Sequence, residues 1–288
     1  MVRGIDAAIS SMMMTQRRHA ITANNIANAN TIGFKAEHMV AKAAVLAPLM
    51  RTETSESAED IGAMHLAAIA DEAPAWFAQG DLEETGAPLD VALAYRPQDA
   101  ELTYDASGKA VRPDGTIAYA PEVFFVVQNA DGQERYTRQG QWTVDGAGRI
   151  VASSGALVLD VNRQPITLSV SPSDVRITER GALVDARTAQ PLVDGGGLPV
   201  RLAVVRVDDV HALVREGQAL WVPQAQDPLI ADEDAVTVWQ GSVERSNVDV
   251  GRASVDLMTA QRAYEANQRV VQWLDRTLEK AVNEVGRV

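Results

Sequence analysis

From Val250 to Val285 an apolar side chain recurs at every seventh position: Val250, Leu257, Tyr264, Val271, Leu278 and Val285. The position three residues further on gives Ala253, Ala260, Asn267, Leu274 and Ala281. A seven-residue repeat with two seam positions, held over five steps, makes a long helix with one narrow apolar edge that must pack on another helix. The three alanines allow close approach, and Asn267 puts a polar group in the seam, of the kind that fixes register at a cost in stability. Ser246-Asn247-Val248-Asp249 just ahead has the Ser-x-x-acid form of a capping box, placing the helix start there. Lys280 and Arg287 near the far end suit the helix dipole.

The N-terminal segment carries a weaker stripe of the same kind. Ile5, Ala8, Ile9, Met12, Gln16, Ala20, Ala23 and Ala27 follow helical spacing. Asn24, Asn25, Asn28 and Asn30 then crowd one short stretch that ends at Gly33. So many asparagines are poor in a helix interior but suit turns and left-handed backbone. The helix is therefore expected to unwind near Asn28–Gly33, with Phe34 docking the next segment. One contact between two such helices does little to offset the entropy of ordering both. Two readings follow: tails that fold fully only in an assembly, or an antiparallel pair packed on the rest of the chain. Periodicity alone leaves both open.

Charge separates the ends from the middle. The chain has 288 residues and a net charge of −13. Residues 1–45 hold five basic and two acidic groups, and residues 246–288 hold six of each, so the acid excess lies between them. No proline occurs before Pro48 or after Pro228. The acidic balance repels phosphate backbones, which argues against nucleic-acid binding. No window holds the roughly 18 apolar residues of a membrane span. Asp6 and Arg17-Arg18 break the pattern of a cleaved secretory signal. The absence of cysteine excludes disulfides, thiol nucleophiles and Cys-ligated metal.

Between the ends, residues 47–75 read as an acid-rich connector punctuated by Pro48 and Pro74. Beyond it short apolar runs alternate with turn signals. Phe124-Phe125-Val126-Val127 fits a buried strand, Asn129-Ala130-Asp131-Gly132 a hairpin turn, Trp142-Thr143-Val144 a second strand and Asp145–Gly148 a second turn. Ile150-Val151, Leu157–Leu159, Ile166–Leu168, Val175–Ile177, Leu183-Val184 and Val200–Val207 continue the rhythm, as in an antiparallel sandwich or barrel. The fold class is α+β: N- and C-terminal helices pairing as a coiled-coil-like module around a β-rich middle. The expected divisions are 1–45, a connector at 46–75, a β domain at 76–240 and the heptad helix at 241–288.

Signals of chemistry are sparse. His19, His38, His65 and His211 form no metal-ligand spacing, and Asp232-Glu233-Asp234 lacks the spacing of a calcium loop. Gly195-Gly196-Gly197 is followed by no Lys-Ser/Thr, so it is a flexible loop and not a phosphate cradle. Trp76 and Phe77 read as packing residues. No catalytic, cofactor-binding or metal-ligating residue is assigned. A β-domain hydrolase or carbohydrate-binding module with helical tails is left as the alternative class.

Ile21-Thr22-Ala23-Asn24-Asn25-Ile26-Ala27-Asn28-Ala29-Asn30-Thr31-Ile32-Gly33-Phe34-Lys35 resembles the N-terminal signature of the bacterial flagellar rod and hook protein family. Gln79-Gly80-Asp81-Leu82 through Pro88-Leu89-Asp90-Val91-Ala92, then Tyr136-Thr137-Arg138-Gln139-Gly140, are similar to that family's central motifs. Gln240-Gly241-Ser242-Val243-Glu244-Arg245-Ser246-Asn247-Val248 and Gln261-Arg262-Ala263-Tyr264-Glu265-Ala266-Asn267 are similar to its C-terminal ones. The matches come in order and span nearly the whole chain. Within the family the compact middle is more like the rod proteins than the hook protein, and the ending resembles the distal-rod type, FlgG-like or FlgF-like. One departure stands out: 29 residues, Tyr95 to Val123, separate the PLD-type segment from Phe124, where the family has a short glycine turn. Asp105–Gly108 and Pro113–Gly115 read as extra turns there, forming an added hairpin.

The resemblance implies a non-catalytic subunit whose terminal helices form the inner layer of a helical tube while the β middle forms the outer one. Such subunits add head-to-tail in the rod, a shaft between motor and hook. The implied partners are further copies of the chain, neighbouring rod and hook proteins, and the flagellar type III export apparatus. Export would be without a cleaved signal, and no cofactor or membrane insertion is implied. The expected assembly contacts are Leu257, Tyr264, Val271 and Leu278 on the C-terminal stripe and Ile5, Ile9 and Met12 on the N-terminal one. Asn24, Asn25, Asn28 and Gly33 are expected to shape the bend.

Overall fold

Residue Met1 is followed directly by helix α1, Val2–Ala27, whose alanine-rich run contains no proline. In the computed structural model the described residues are all except 1, 53–57, 96–103, 105–108, 113, 218, 224–228, 231–234 and 286–288. The helix takes in Asn24 and Asn25 and stops at Ala27, partway through the asparagine-rich stretch. The Thr31 N–H donates to the Asn28 carbonyl, closing a turn in place of a further helical bond.

Two long strands follow, β1 (Val40–Thr52) and β2 (Ala58–Glu72), paired antiparallel from Val40↔Glu72 to Thr52↔Ala58. The stretch expected to be a connector is thus mostly a β-ribbon. Its proline and acidic residues disguise a strand pattern that alanine, a weak strand former, does little to advertise.

Short strands β3 (Leu82–Glu84) and β4 (Val91–Tyr95) come next, then β5 (Lys109–Val111) and β6 (Ile117–Tyr119). The latter two pair as a hairpin over Arg112–Thr116, the added hairpin expected in the 95–123 segment. Asp105–Gly108 lie outside the described residues, as do Pro113 and Asp232–Asp234.

The central strand β7, Glu122–Gln128, has five consecutive buried residues, Val123 to Val127. A strand covered on both faces reads as an unbroken apolar run, which is why Phe124–Val127 does not alternate. It leads through the Asn129–Gly132 turn into β8 (Glu134–Thr137), with Asn129 Oδ1 accepting from the Asp131 and Gln133 N–H groups. Strands β9 (Trp142–Val144), β10 (Ile150–Ala152) and β11 (Leu157–Val158) return to β7. Strands β12 (Val175–Ile177) and β13 (Leu183–Asp185) form a separate pair. Ile166–Leu168 is not a strand of its own but joins through a bridge between Thr167 and Arg149 and through backbone hydrogen bonds of Ile166 to Val158 and Ile150. The Val200–Val207 run narrows to β14, Val204–Val207, which pairs with β7.

Strands β15 (Leu213–Glu216) and β16 (Leu220–Pro223) extend the sheet beyond β8, and β17 (Leu229–Ile230) pairs with β14. Strands β18 (Val236–Gln240) and β19 (Ser242–Glu244) then pair back to β4 and β3. The core around β7 includes Val91, Leu93, Phe125, Trp142, Ile150 and Leu183, all buried. Phe77 is buried edge-on to Phe124, with ring centroids 5.7 Å apart, and also meets Trp221, as expected of a packing residue. Trp76 is partly exposed.

Helix α2, Val250–Val285, ends the described chain. Its start differs from the capping box read at Ser246. Asp249 is the cap, its Oδ1 accepting from the Arg252 N–H and its carbonyl from the Ala253 N–H. Asn247 is used elsewhere, so the helix begins at the next free acid.

The chain divides into two compact units. One comprises Met1–Ala27, Glu37–Ala75 and Val248–Val288, and holds the two helices and the ribbon. The other comprises Asn28–Ala36 and Trp76–Asn247. Residues 28–36 and 241–247, grouped with the helices by sequence, pack in the β unit. No described helix is long and apolar enough to cross a membrane.

Candidate functional site

In the helical unit, Leu274 Cδ1 lies 3.5 Å from where a Cβ would sit on Gly4, and Asn267 Nδ2 donates to Ser11 Oγ at 2.8 Å. Seven residues forward on α1 correspond to seven back on α2, so the helices run antiparallel in heptad register. Ala8 and Ala260 are buried in this seam. Leu257, Val271 and Leu278 are half-buried, as are Ile5 and Met12, while Ile9 and Tyr264 are more exposed. The heptad stripe thus faces α1 within one chain, and the glycine and alanines supply the close approach.

Asn25 is buried in the last turn of α1. Its amide donates to the Glu37 carbonyl at 2.8 Å and its Oδ1 accepts from the Glu37 N–H at 3.0 Å. A side chain that imitates a strand partner holds the returning chain against the helix. Asn24 is exposed.

In the β unit, Asn28 is buried and accepts from Thr31 Oγ1. Gly33 has φ +69°, and its N–H donates to the Glu244 carbonyl at 2.8 Å. A Cβ there would stand 2.6 Å from the Arg138 carbonyl carbon, so the position needs glycine for both its backbone and its space. Asn25, Asn28 and Gly33 therefore make contacts inside the chain.

Beside this bend lies a cluster that the sequence reading did not single out. Glu244 is buried on β19, and its carboxylate accepts from Lys35 Nζ at 2.7 Å, Arg138 Nε at 2.8 Å and the Gly80 N–H at 2.9 Å. Lys35 Nζ also donates to the Ala78 carbonyl, and Arg138 to those of Val123 and Leu93. Glu122 comes within 3.7 Å of Arg138. Two cations and two carboxylates give a neutral set, and each buried donor has an acceptor, which is the condition for burying charge without large loss. Burial alone would raise the Glu244 carboxyl, but Arg138 and Lys35 outweigh it and hold it below its ordinary value. Burial pushes Glu122 up and Lys35 down, each only partly opposed by its neighbours. The Arg215 guanidinium stacks 4.4 Å over the Phe34 ring and donates to the Lys35 carbonyl.

Asn247 completes the arrangement. Its Oδ1 accepts from the Ala36 N–H at 2.7 Å, and its Nδ2 donates to the Trp76 carbonyl at 2.7 Å and the Ala78 carbonyl at 3.0 Å. The Trp76 N–H in turn donates to the Ala36 carbonyl. Ala36, Trp76 and Asn247 are the three residues at which the chain leaves or enters this unit next to the ribbon and α2. One side chain thus ties three crossings together. The arrangement can hold and orient segments. Among the described residues no group of three or more His, Asp or Glu side chains could hold a metal ion. Part of the signal was present, in that Lys35, Arg138 and Glu244 each sit in one of the quoted motifs, while Glu122 lies in the 95–123 segment. No single motif shows that they meet.

Comparison with known proteins follows the same segments. Residues 5–35 match the family described as "Flagella basal body rod protein", residues 121–184 the "Flagellar hook protein FlgE/F/G D1 domain", and residues 240–284 the "Flagellar basal body rod FlgEFG protein C-terminal". The flagellar hook-basal body complex protein FlhO of Bacillus subtilis is 32% identical, with 100% of both chains covered. The flagellar basal-body rod protein FlgF of Caulobacter vibrioides is 30% identical over 97% of this chain and 96% of its own. The FlgF protein of Escherichia coli is 28% identical over 96% and 95%.

Proposed function

The chain belongs to the flagellar basal-body rod and hook family, and from that premise we propose that it is a structural subunit of the distal rod. Copies add head-to-tail through their terminal helices into a helical tube that transmits motor torque to the hook. The observation that carries the reading is the end-to-end match to rod and hook-basal body proteins. The antiparallel α1–α2 pair supports it by supplying a helical module suited to an inner layer, with the β unit as the outer one. A contact between unlike surfaces that does not close generates such a filament.

The subunit works with other rod and hook proteins in the basal body and performs no catalysis. It reaches that site through the flagellar type III export apparatus, unfolded and without a cleaved signal. The stripe residues Ile5, Ile9, Met12, Leu257, Tyr264, Val271 and Leu278 build the helical layer. Asn24, Asn25, Asn28 and Gly33 set the path by which it joins the rest of the chain. The hydrolase or carbohydrate-binding reading finds no support among the relatives.

Replacing Leu257 and Leu274 together with lysine in the producing bacterium tests this. Loss of motility and of the chain from purified basal bodies, with the β unit still folded, is the expected result. Retained motility would overturn the proposal.

A further inference from the structure

The α1-facing seam uses only one side of α2. On the other side Val255, Met258, Val270 and Trp273 are exposed, Trp273 at 66%. At about 100° per residue Val255 and Trp273 share one azimuth, and Arg262, Arg269 and Arg276 lie within about 60° of it. Ala260, Asn267 and Leu274 of the seam fall more than about 90° away. The three arginines are themselves seven residues apart and exposed, so they form a row beside the apolar stripe. Arg269 makes a 4.0 Å contact with Glu265. The helix also continues about three turns past Leu274, the partner of Gly4, and Val282 there is 71% exposed.

The β unit presents the opposite chemistry. Strand β3 is exposed at all three residues, Leu82, Glu83 and Glu84, and Asp81 precedes it, also exposed. Among the described residues β3 pairs with β19 alone. Glu83 meets Arg245 only loosely, at 3.5 Å with both side chains about half exposed. Side chains alternate along a strand, so Leu82 and Glu84 lie on one face of β3 and Asp81 and Glu83 on the other, all four beside the exposed edge of a strip whose sign is that of the chain as a whole.

We propose that the outer face of α2 docks on β3 of a second copy, with Val270 and Trp273 against Leu82 and the arginine row against Asp81, Glu83 and Glu84. The inference rests on the rod reading and deepens it by naming the faces that meet. The heptad stripe is taken up within the chain, so copies join through the opposite side of the same helix. The two surfaces are unlike, so each copy offers both and the contact propagates without closing. Its ionic part is exposed and is weakened by salt, whereas the tryptophan contact is not.

The test uses three full-length chains: R262E/R269E/R276E, D81K/E83K/E84K, and one carrying all six changes. Polymerisation is followed by light scattering against concentration, with hydrogen exchange of β7 as the folding control. Each single-surface reversal raises the critical concentration at least about tenfold, as expected when three exposed ion pairs become repulsive. The six-fold variant returns to within about threefold of the original, because a head-to-tail contact with both signs reversed is again attractive. If the single-surface chains polymerise like the original, or the six-fold chain does no better than they do, the docking faces are wrong while the rod reading stands. If the original chain neither polymerises nor enters basal bodies, the rod reading fails and this inference with it.

Discussion

Lys35 Nζ stands 2.7 Å from Glu244 Oε1, joining residues 209 positions apart, and each side chain is only 1% exposed. The pair is closed to solvent and shared with Arg138. Removing one partner leaves a buried charge uncompensated, whereas removing an exposed pair costs little. Lys35→Met and Glu244→Gln are each expected to lower the unfolding free energy of the full chain by about 3–5 kcal/mol. Urea denaturation measures this. The two changes together should cost less than their sum, since they share one interaction.

The same cluster gives stability a defined dependence on acid. Glu244 has a folded value below its unfolded one, so its contribution is full above about pH 4.3 and is lost as pH falls through the folded value. Glu122 has the opposite sign. Burial raises it, so between its unfolded and folded values the folded state holds a proton that the unfolded chain has released, and stability rises as pH falls through the raised value toward about pH 4.3. Glu122→Gln should therefore flatten the part of the stability curve that lies above about pH 4.3 and leave the acid limb in place. Denaturation midpoints measured across that range would show it.

Asn247 links three crossings with one side chain. Asn247→Ala removes three hydrogen bonds and leaves the Ala36 N–H without its acceptor, a loss of about 1–3 kcal/mol if that group stays dry. The loss should be local. Hydrogen exchange is expected to speed up at Ala36 while the Phe124–Val127 amides keep their protection.

How much of this was readable in the chain depends on the range of the interaction. The helices, the apolar edge of α2 and the Asn129–Gly132 turn rest on neighbours a few residues apart, and their periodicity and turn chemistry are written locally, whereas the antiparallel seam joins residues as distant as Ser11 and Asn267. The ribbon at 40–72 was obscured because alanine signals neither helix nor strand in a β context and Pro48 reads as a break. The helix cap moved from Ser246 to Asp249 because Asn247 is held by Ala36 and Trp76, a demand that no local window shows. The charge cluster was the least legible part. Lys35, Glu122, Arg138 and Glu244 are single ions in separate segments, and only the fold reveals that they meet.

Gly140 marks the tightest approach of two backbones. A Cβ built on it would fall 1.5 Å from the Val91 carbonyl oxygen, and the Gly140 carbonyl already accepts from the Val91 N–H at 2.8 Å. No side-chain rotation relieves an overlap with backbone. Gly140→Ala should cost more than about 3 kcal/mol, the range reserved for severe overpacking. Gly146→Ala is the control, since nothing lies within 4 Å of its added carbon. Thermal unfolding of the two variants should separate them clearly, and equal melting temperatures would show that β4 can move away.

Asn267 is the polar residue in an otherwise apolar or small-residue seam, and its amide reaches Ser11 Oγ on the facing helix. A leucine there would bury more apolar surface but lose the single contact that distinguishes this register from one displaced by a heptad, since the repeat offers Leu257, Val271 and Leu278 at equivalent spacing. Asn267→Leu is thus expected to stabilise the helix pair by about 1 kcal/mol while permitting slipped pairings. Cysteines introduced at Gly4 and Leu274 report the outcome, because the native chain has none. In the original background they should crosslink with each other in high yield. With Asn267→Leu the yield should fall even as the melting temperature rises. A higher melting temperature with undiminished crosslinking would mean that the alanine and glycine contacts alone fix the register.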